Sequence, residues 1–196
     1  MKLYNTPTSP FGRKVLITSI EKGLDKKIDV LAARAPEAEL PKKNPLDKLP
    51  VLVTDDGEVL IESSLICEYL DDLGSGPKLF PTEAKARRKM IQAQAVAQGV
   101  LDAVVLLRME DRRKPEERSQ DWIIRQQKKI DRGVPFMENL LATLPGEISA
   151  AHITFACCLW FMDKHNVGGD WRKTAPKLAA WYDSFKKRPS LVATEA

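Results

Sequence analysis

The chain has 196 residues, 43% of them hydrophobic and 30% charged, with a net charge of +4; this is ordinary globular composition, with room for one large domain or two small ones. Its basic clusters, Arg87-Arg88-Lys89, Arg112-Arg113-Lys114 and Lys186-Lys187-Arg188, are scattered among acids. That pattern argues against nucleic acid as a partner, which needs one basic face with interleaved aromatics.

Lys2 to Asn5 reads as a strand, entered directly from Met1 with no signal peptide. Pro10 to Lys22 reads as an amphipathic helix with Val15, Leu16, Ile17 and Ile20 inward, ended by Gly23. Lys27 to Leu31 alternates as a second strand, and residues 36 to 43 form a short helix. Pro50 opens an apolar strand, Val51-Leu52-Val53. The Asp55-Asp56-Gly57 turn returns the chain as Val59-Leu60-Ile61, and Glu62-Ser63-Ser64 starts a helix running to about Asp72. The β-α-β opening asks for parallel pairing and the Asp-Gly turn for a hairpin, so a mixed four-stranded sheet is expected.

Gly74-Ser75-Gly76-Pro77 breaks the pattern. Beyond Pro81 every segment is helical. Ala84 to about Arg113 carries a stripe at Met90, Ala93, Ala97, Val100, Leu101, Val104 and Val105. Glu116 to Leu144 follows, then an apolar helix capped by Ser149 and running to about Lys164, then Ala175 to Lys187, stopped before Pro189. The expected organisation is an α/β domain over residues 1–76, a linker over 77–83 and an all-helical domain over 84–196. No apolar stretch approaches the roughly 20 residues of a membrane span, so no membrane is expected as a partner. Three cysteines without framework spacing suggest a reducing, cytoplasmic setting. Cys67, Cys157 and Cys158 read as buried small hydrophobes, and His152 and His165 lack zinc-ligand spacing, so no metal is expected.

Two segments carry chemistry. The run from Asn44 to Ser63 places backbone hydrogen-bonding groups, a carboxylate and a helix N-terminus around one small volume. It suits a ligand with a peptide backbone, a free amine and free carboxylates. The second is Thr8-Ser9-Pro10-Phe11-Gly12-Arg13-Lys14. Ser9 is suited to the N-cap and Pro10 to the first helical position, so one reading is a plain cap. The other reading uses the same geometry. A hydroxyl at a helix N-terminus, with Gly12 leaving room, donates a hydrogen bond to an anion such as a thiolate. In thioredoxin- and glutaredoxin-type proteins this turn carries Cys-x-x-Cys. Here it is Ser9-Pro10-Phe11-Gly12, which excludes dithiol exchange at that place and leaves a site for a thiol brought by a ligand.

Taken with Asn44-Pro45, Lys48-Leu49-Pro50-Val51-Leu52, Glu62-Ser63, Leu178-Ala179-Ala180-Trp181-Tyr182 and Arg188-Pro189, the chain resembles the cytosolic glutathione S-transferases, specifically a bacterial serine-type member. The resemblance covers nearly the whole chain. It implies a thioredoxin-like N-terminal domain, an all-helical C-terminal domain and a homodimer. It further implies glutathione as co-substrate, a small electrophile as second substrate and no cofactor.

By position, Pro50 matches the family's cis-proline, with Leu49 pairing strand-fashion with the cysteinyl part of glutathione. Lys48 then reaches the glycine carboxylate, Glu62 the γ-glutamyl amine, Ser63 the γ-glutamyl carboxylate and Ser9 the sulfur. Phe11 counts toward both glutathione and the electrophile. The electrophile pocket is expected between the domains, with Arg108, Arg112 and Trp160 as further candidates, although Trp160 also fits a core aromatic and the arginines fit surface charges. Conjugation is the expected activity; glutathione-dependent thiol transfer, peroxidase activity and a non-catalytic glutathione-binding scaffold are compatible with the same residues. One departure stands out. The family's third C-terminal-domain helix commonly opens with Ser or Thr followed three residues later by Asp, and here Ser149 is followed by His152. One bond of that capping box is lost or replaced, at about 1 kcal/mol.

Overall fold

The computed structural model describes residues 1–35 and 38–195. Strands β1 (Lys2–Asn5), β2 (Asp29–Ala32), β3 (Val51–Val53) and β4 (Val59–Ile61) alternate with helices α1 (Pro10–Glu21), α2 (Leu40–Lys43) and α3 (Ser63–Leu73). The sheet order is β2-β1-β3-β4. β1 pairs parallel with β2, and the β1–β3 and β3–β4 pairs are antiparallel, the mixed sheet that the sequence predicts. Side-chain alternation puts Leu3, Leu52 and Leu60 on one face, while Tyr4 and Val51 join Ala38 and Leu40 in a cluster on the other. Of the helix expected over residues 36–43, Leu40–Lys43 is helical and residues 36 and 37 lie outside the described residues.

The buried face of α1 differs from the apolar reading. Val15 and Ile17 are fully buried, but Leu16 and Ile20 are only half-buried. Arg13, Lys14, Thr18 and Ser19 take the remaining interior positions. Periodicity of apolar residues misses such a face because its polar groups find hydrogen-bond partners that lie far off in sequence. Arg13 donates to the Leu191 carbonyl at 2.9 Å, and Thr18 Oγ1 donates to Cys67 Sγ at 3.3 Å. Lys22 Nζ meets the fully buried Asp71 carboxylate at 3.0 Å.

The chain divides into two compact units, residues 1–80 with 188–196, and residues 81–187. This differs from the expected boundaries at 76 and 84, and from a helical domain extending to 196. Asp71 explains the first difference: its two oxygens accept the Leu79 and Phe80 amides at 2.9 and 3.1 Å, holding that stretch on the first unit. The second arises at Glu21, which takes the Arg188 guanidinium and the Ser190 hydroxyl. A short helix, α9 (Pro189–Ala193), thus belongs with α1.

The second unit is helical throughout its described secondary structure: α4 (Ala84–Asp111), α5 (Gln120–Leu141), α6 (Ala150–His165), α7 (Trp171–Thr174) and α8 (Pro176–Phe185). The helix expected from Glu116 starts at Gln120 because Ser119 caps it, after a 3-10 turn at Pro115–Glu117. By length and composition α4 could cross a membrane, contrary to the sequence expectation, but it packs on α5 and α6 as a core helix. Gly133 permits the close approach of α5, since a Cβ there would fall 2.3 Å from Val100 Cγ2. At the start of α6 the missing aspartate is replaced, since His152 Nδ1 accepts the Ser149 amide at 3.2 Å.

Asp71→Ala leaves the Lys22 ammonium buried without its carboxylate and frees two amides. We expect urea unfolding to show a loss of about 3–5 kcal/mol; a loss below about 1 kcal/mol would contradict the anchoring role.

Candidate functional site

Strand register brings the two chemistry-bearing segments together. Tyr4 pairs with Val51, and Val51 with Ile61. Strands lie about 4.8 Å apart, so these three residues span roughly 10 Å across the strands, along the edge where the strands end. From that edge β1 leads toward Ser9, β3 is entered from Leu49-Pro50, and β4 leaves into Glu62-Ser63.

Ser9 caps α1 with extended backbone, and its Oγ accepts the Gly12 amide at 3.1 Å. The cap and the functional reading are therefore compatible. The hydroxyl oxygen is held by an amide of the helix N-terminus, and the O–H remains able to donate outward. Phe11 is half-buried two residues on. Gly12 lies against Asn5: a Cβ at position 12 would fall 1.8 Å from Asn5 Oδ1. Asn5 is 4% exposed, and its Oδ1 has no hydrogen-bond partner among the described residues.

The Leu49-Pro50 peptide bond is cis. Asn44, itself buried, shapes the approach by donating from Nδ2 to the Lys48 carbonyl at 2.8 Å and accepting the Leu46 amide at 3.0 Å. Arg34 donates to both oxygens of Asp47, at 2.9 and 3.0 Å. Lys48 is exposed. The backbone N–H and C=O of Leu49 carry no hydrogen bond among the described residues, which leaves one residue of strand edge free for an extended ligand.

Glu62 has φ +78°, a conformation costing a non-glycine residue about 1–3 kcal/mol and typically retained at functional sites. Its carboxylate accepts the Ser64 and Leu65 amides at 3.0 and 3.3 Å and the Ser63 hydroxyl at 3.3 Å. The Ser63 side chain is buried, and the Ser63 amide has no partner among the described residues. An acid turned over a helix start, beside an unused amide, presents an acceptor for a cation and a donor for an anion side by side.

The remaining candidates lie in the second unit. Trp160 is 4% exposed within α6, its ring centroid 6.2 Å from that of Phe161, as a core aromatic would be. Arg108 donates to Asp111 on its own helix at 2.9 Å, and its buried Nε has no partner among the described residues. Arg112 is exposed. His165 is held below the usual histidine range, first by burial and then by Arg108, Lys164 and Arg112. Burial pushes the thiols of Cys67 and Cys158 up, so neither is a ready nucleophile.

Residues 8–73 match the family model described as glutathione S-transferase, N-terminal domain, and residues 103–184 the one described as glutathione S-transferase, C-terminal domain. The uncharacterized GST-like protein YibF of Escherichia coli (strain K12) is 32% identical over 199 aligned residues, covering 100% of this chain and 98% of that one. A glutathione transferase family member from Pseudomonas fluorescens Pf-5, solved with bound glutathione, is 36% identical with a TM-score of 0.92, covering 98% of this chain and 97% of that one. A glutathione S-transferase from Methylobacillus flagellatus KT, also with glutathione bound, is 34% identical with a TM-score of 0.90 and covers 98% of each chain.

Gly12→Ala should lower stability by about 1–3 kcal/mol in chemical denaturation, since the new methyl overlaps the Asn5 amide. Combining it with Asn5→Ala should recover most of that loss. Unchanged stability of the single variant would contradict the contact.

Proposed function

The chain belongs to the glutathione S-transferase family, and from that premise we propose that it conjugates the glutathione thiolate to small electrophiles, with Ser9 activating the sulfur. The observation that supports this reading is the strand register that starts the Ser9, Leu49-Pro50 and Glu62-Ser63 segments from one edge of the sheet, together with the unpaired Leu49 backbone.

Glutathione laid along that edge pairs its cysteinyl backbone with Leu49. Its γ-glutamyl amine meets Glu62, its γ-glutamyl carboxylate the Ser63 amide and hydroxyl, and its glycine carboxylate Lys48. The sulfur then faces Ser9. A free thiol has a pKa near 8.5, so only about 3% is thiolate at pH 7. A two-unit depression raises that to roughly three quarters and requires about 2.7 kcal/mol. One charge-assisted hydrogen bond from Ser9, with the α1 N-terminus behind it, supplies about that much. The thiolate lone pair forms the new S–C bond. In a substitution the leaving group departs with the bonding pair; in an addition the pair moves along the acceptor, which then takes a proton. Phe11 offers apolar surface beside the sulfur. No metal or organic cofactor takes part in this reading.

Conjugation is favoured over thiol transfer by three observations. The redox turn has serine and glycine where sulfurs would stand, and Cys67 is a buried, protonated thiol. The Pseudomonas fluorescens protein was also solved with bound S-(propanoic acid)-glutathione, an S-alkylated form. A cytoplasmic homodimer acting in detoxification belongs to the same reading.

Ser9→Ala should lower turnover of a chlorinated aromatic electrophile by up to about 25-fold at pH 7, the ratio of the two thiolate fractions. The deficit should shrink above about pH 9, where the thiol ionises unaided. Glutathione affinity should largely survive. Glu62→Ala should abolish retention on immobilised glutathione. Unchanged retention, or a Ser9→Ala deficit independent of pH, would overturn the assignment. A disulfide substrate outperforming every electrophile would overturn conjugation in favour of thiol transfer.

A further inference from the structure

The second unit holds a cavity of about 290 Å³, and none of the residues expected to meet glutathione or the electrophile lines it. Three segments meet there: the end of α4, the turn that leads into α5 and the loop that follows α6. Leu107, Ile123 and Val167 make its apolar wall. Its polar lining has hydrogen-bonding capacity that the fold does not use. Arg118 donates from Nε to the Arg113 carbonyl at 3.0 Å and from Nη2 to the Asp111 carbonyl at 2.6 Å, but its Nη1 makes no hydrogen bond among the described residues. The His165 ring lies edge-on to Phe161, with centroids 4.4 Å apart, and neither ring nitrogen is hydrogen-bonded among the described residues. The side-chain amide of Asn166, a residue held at φ +50°, is unbonded in the same sense. An apolar volume at the small end of ligand sites, with a few convergent polar groups, is the ordinary form of a binding pocket.

The charge around the cavity is positive. Asp111 is the one carboxylate that lines it among the described residues, and two guanidiniums share it: Arg108 Nη1 donates to it at 2.9 Å, and Arg118 Nη1 lies 3.7 Å away. Burial, then Arg108, Lys164 and Arg112, hold His165 below the usual histidine range. The ring is therefore neutral at pH 7 and offers one N–H donor. The C-termini of α4 and α6 favour nearby cations, which accounts for charge at these helix ends but not for unused donors around an apolar cavity. We propose that this cavity binds a small organic carboxylate with an apolar body. The carboxylate accepts from Arg118 Nη1, the His165 N–H and the Asn166 amide, and the body lies against Leu107, Ile123 and Val167. An anion there balances the guanidinium charge that Asp111 alone leaves over, through a charge-assisted bond. A neutral ligand of the same shape gains only the apolar contact. The site stands apart from the conjugation reading, since every residue in it belongs to the second unit.

The test is an NMR titration of the isotope-labelled full-length chain with 3-phenylpropanoate and with 3-phenylpropanol, its uncharged counterpart. The carboxylate should bind with a Kd of about 1 mM, as its size allows, and at least about tenfold more tightly than the alcohol. The amides of Val167 and Gly168 should be among those that shift. Arg118→Met should weaken the carboxylate about tenfold and leave the alcohol unchanged. Arg118 also holds two backbone carbonyls, so two further variants keep the test open should Arg118→Met fail to fold. His165→Phe keeps a ring against Phe161 and removes the N–H, and should cost the carboxylate about threefold and the alcohol nothing. Val167→Trp fills the cavity and should abolish binding of both ligands. No binding of the carboxylate at about 10 mM overturns the proposal, as does equal affinity for the two ligands. Shifts that spare Val167 and Gly168, or binding that His165→Phe and Val167→Trp leave unchanged, place the ligand elsewhere and overturn it as well.

Discussion

The pairing of Tyr4 with Val51 and of Val51 with Ile61 is the constraint on which the rest of the site depends. Strand register is set wherever a strand buries a face, because a slip by one residue would exchange its inward and outward side chains. Leu3, Leu52 and Leu60 on one face and Tyr4 and Val51 on the other bury both sides of this sheet. Three loops far apart in sequence consequently end on one edge with no freedom to slide. The segments that carry a hydroxyl at a helix start, an unpaired strand residue and an acid at a second helix start leave or enter the sheet on the same side as a result of core packing. Each carries out a local structural task, capping or turning the chain, and each retains hydrogen-bonding capacity for a ligand.

Charge in the first unit is organised from the inside. α1 sends Arg13 to the terminal segment, Lys22 to Asp71 and Lys14 to the start of α3. Asp71 in turn holds Leu79 and Phe80, and Glu21 holds Arg188 and Ser190. The helix that bears Ser9 thus also ties down both ends of its unit, so the serine is presented from a braced element rather than from a loop.

The hairpin and its surroundings were legible in the sequence because their signals are local. Pro50, the Asp55-Asp56-Gly57 turn and the Ser9-Pro10 cap each act within a few residues. Less legible was whatever depends on distant partners. An apolar stripe on α1 predicted Leu16 and Ile20 inward, whereas Lys14 and Thr18 occupy the interior because α3 supplies a hydroxyl and a thiol for them. The terminal segment after Arg188 looked like the end of the helical domain, and Glu21 draws it to the first unit instead. His152 read as a damaged capping box, yet an imidazole nitrogen accepts the same amide that a carboxylate would. Trp160 sits among the residues buried along α6, where a run of apolar residues gives no periodic hint of which side chains stay in the core.

The central claim is that this sheet edge holds glutathione with its sulfur on Ser9, and a crystal structure of the complex tests it most directly. The account predicts the cysteinyl backbone hydrogen-bonded to Leu49, the γ-glutamyl carboxylate on the Ser63 amide, and the sulfur within about 3.5 Å of Ser9 Oγ, the reach of a weak O–H to sulfur hydrogen bond. Glutathione bound away from this edge, or seated on it with the sulfur turned from Ser9, would contradict it.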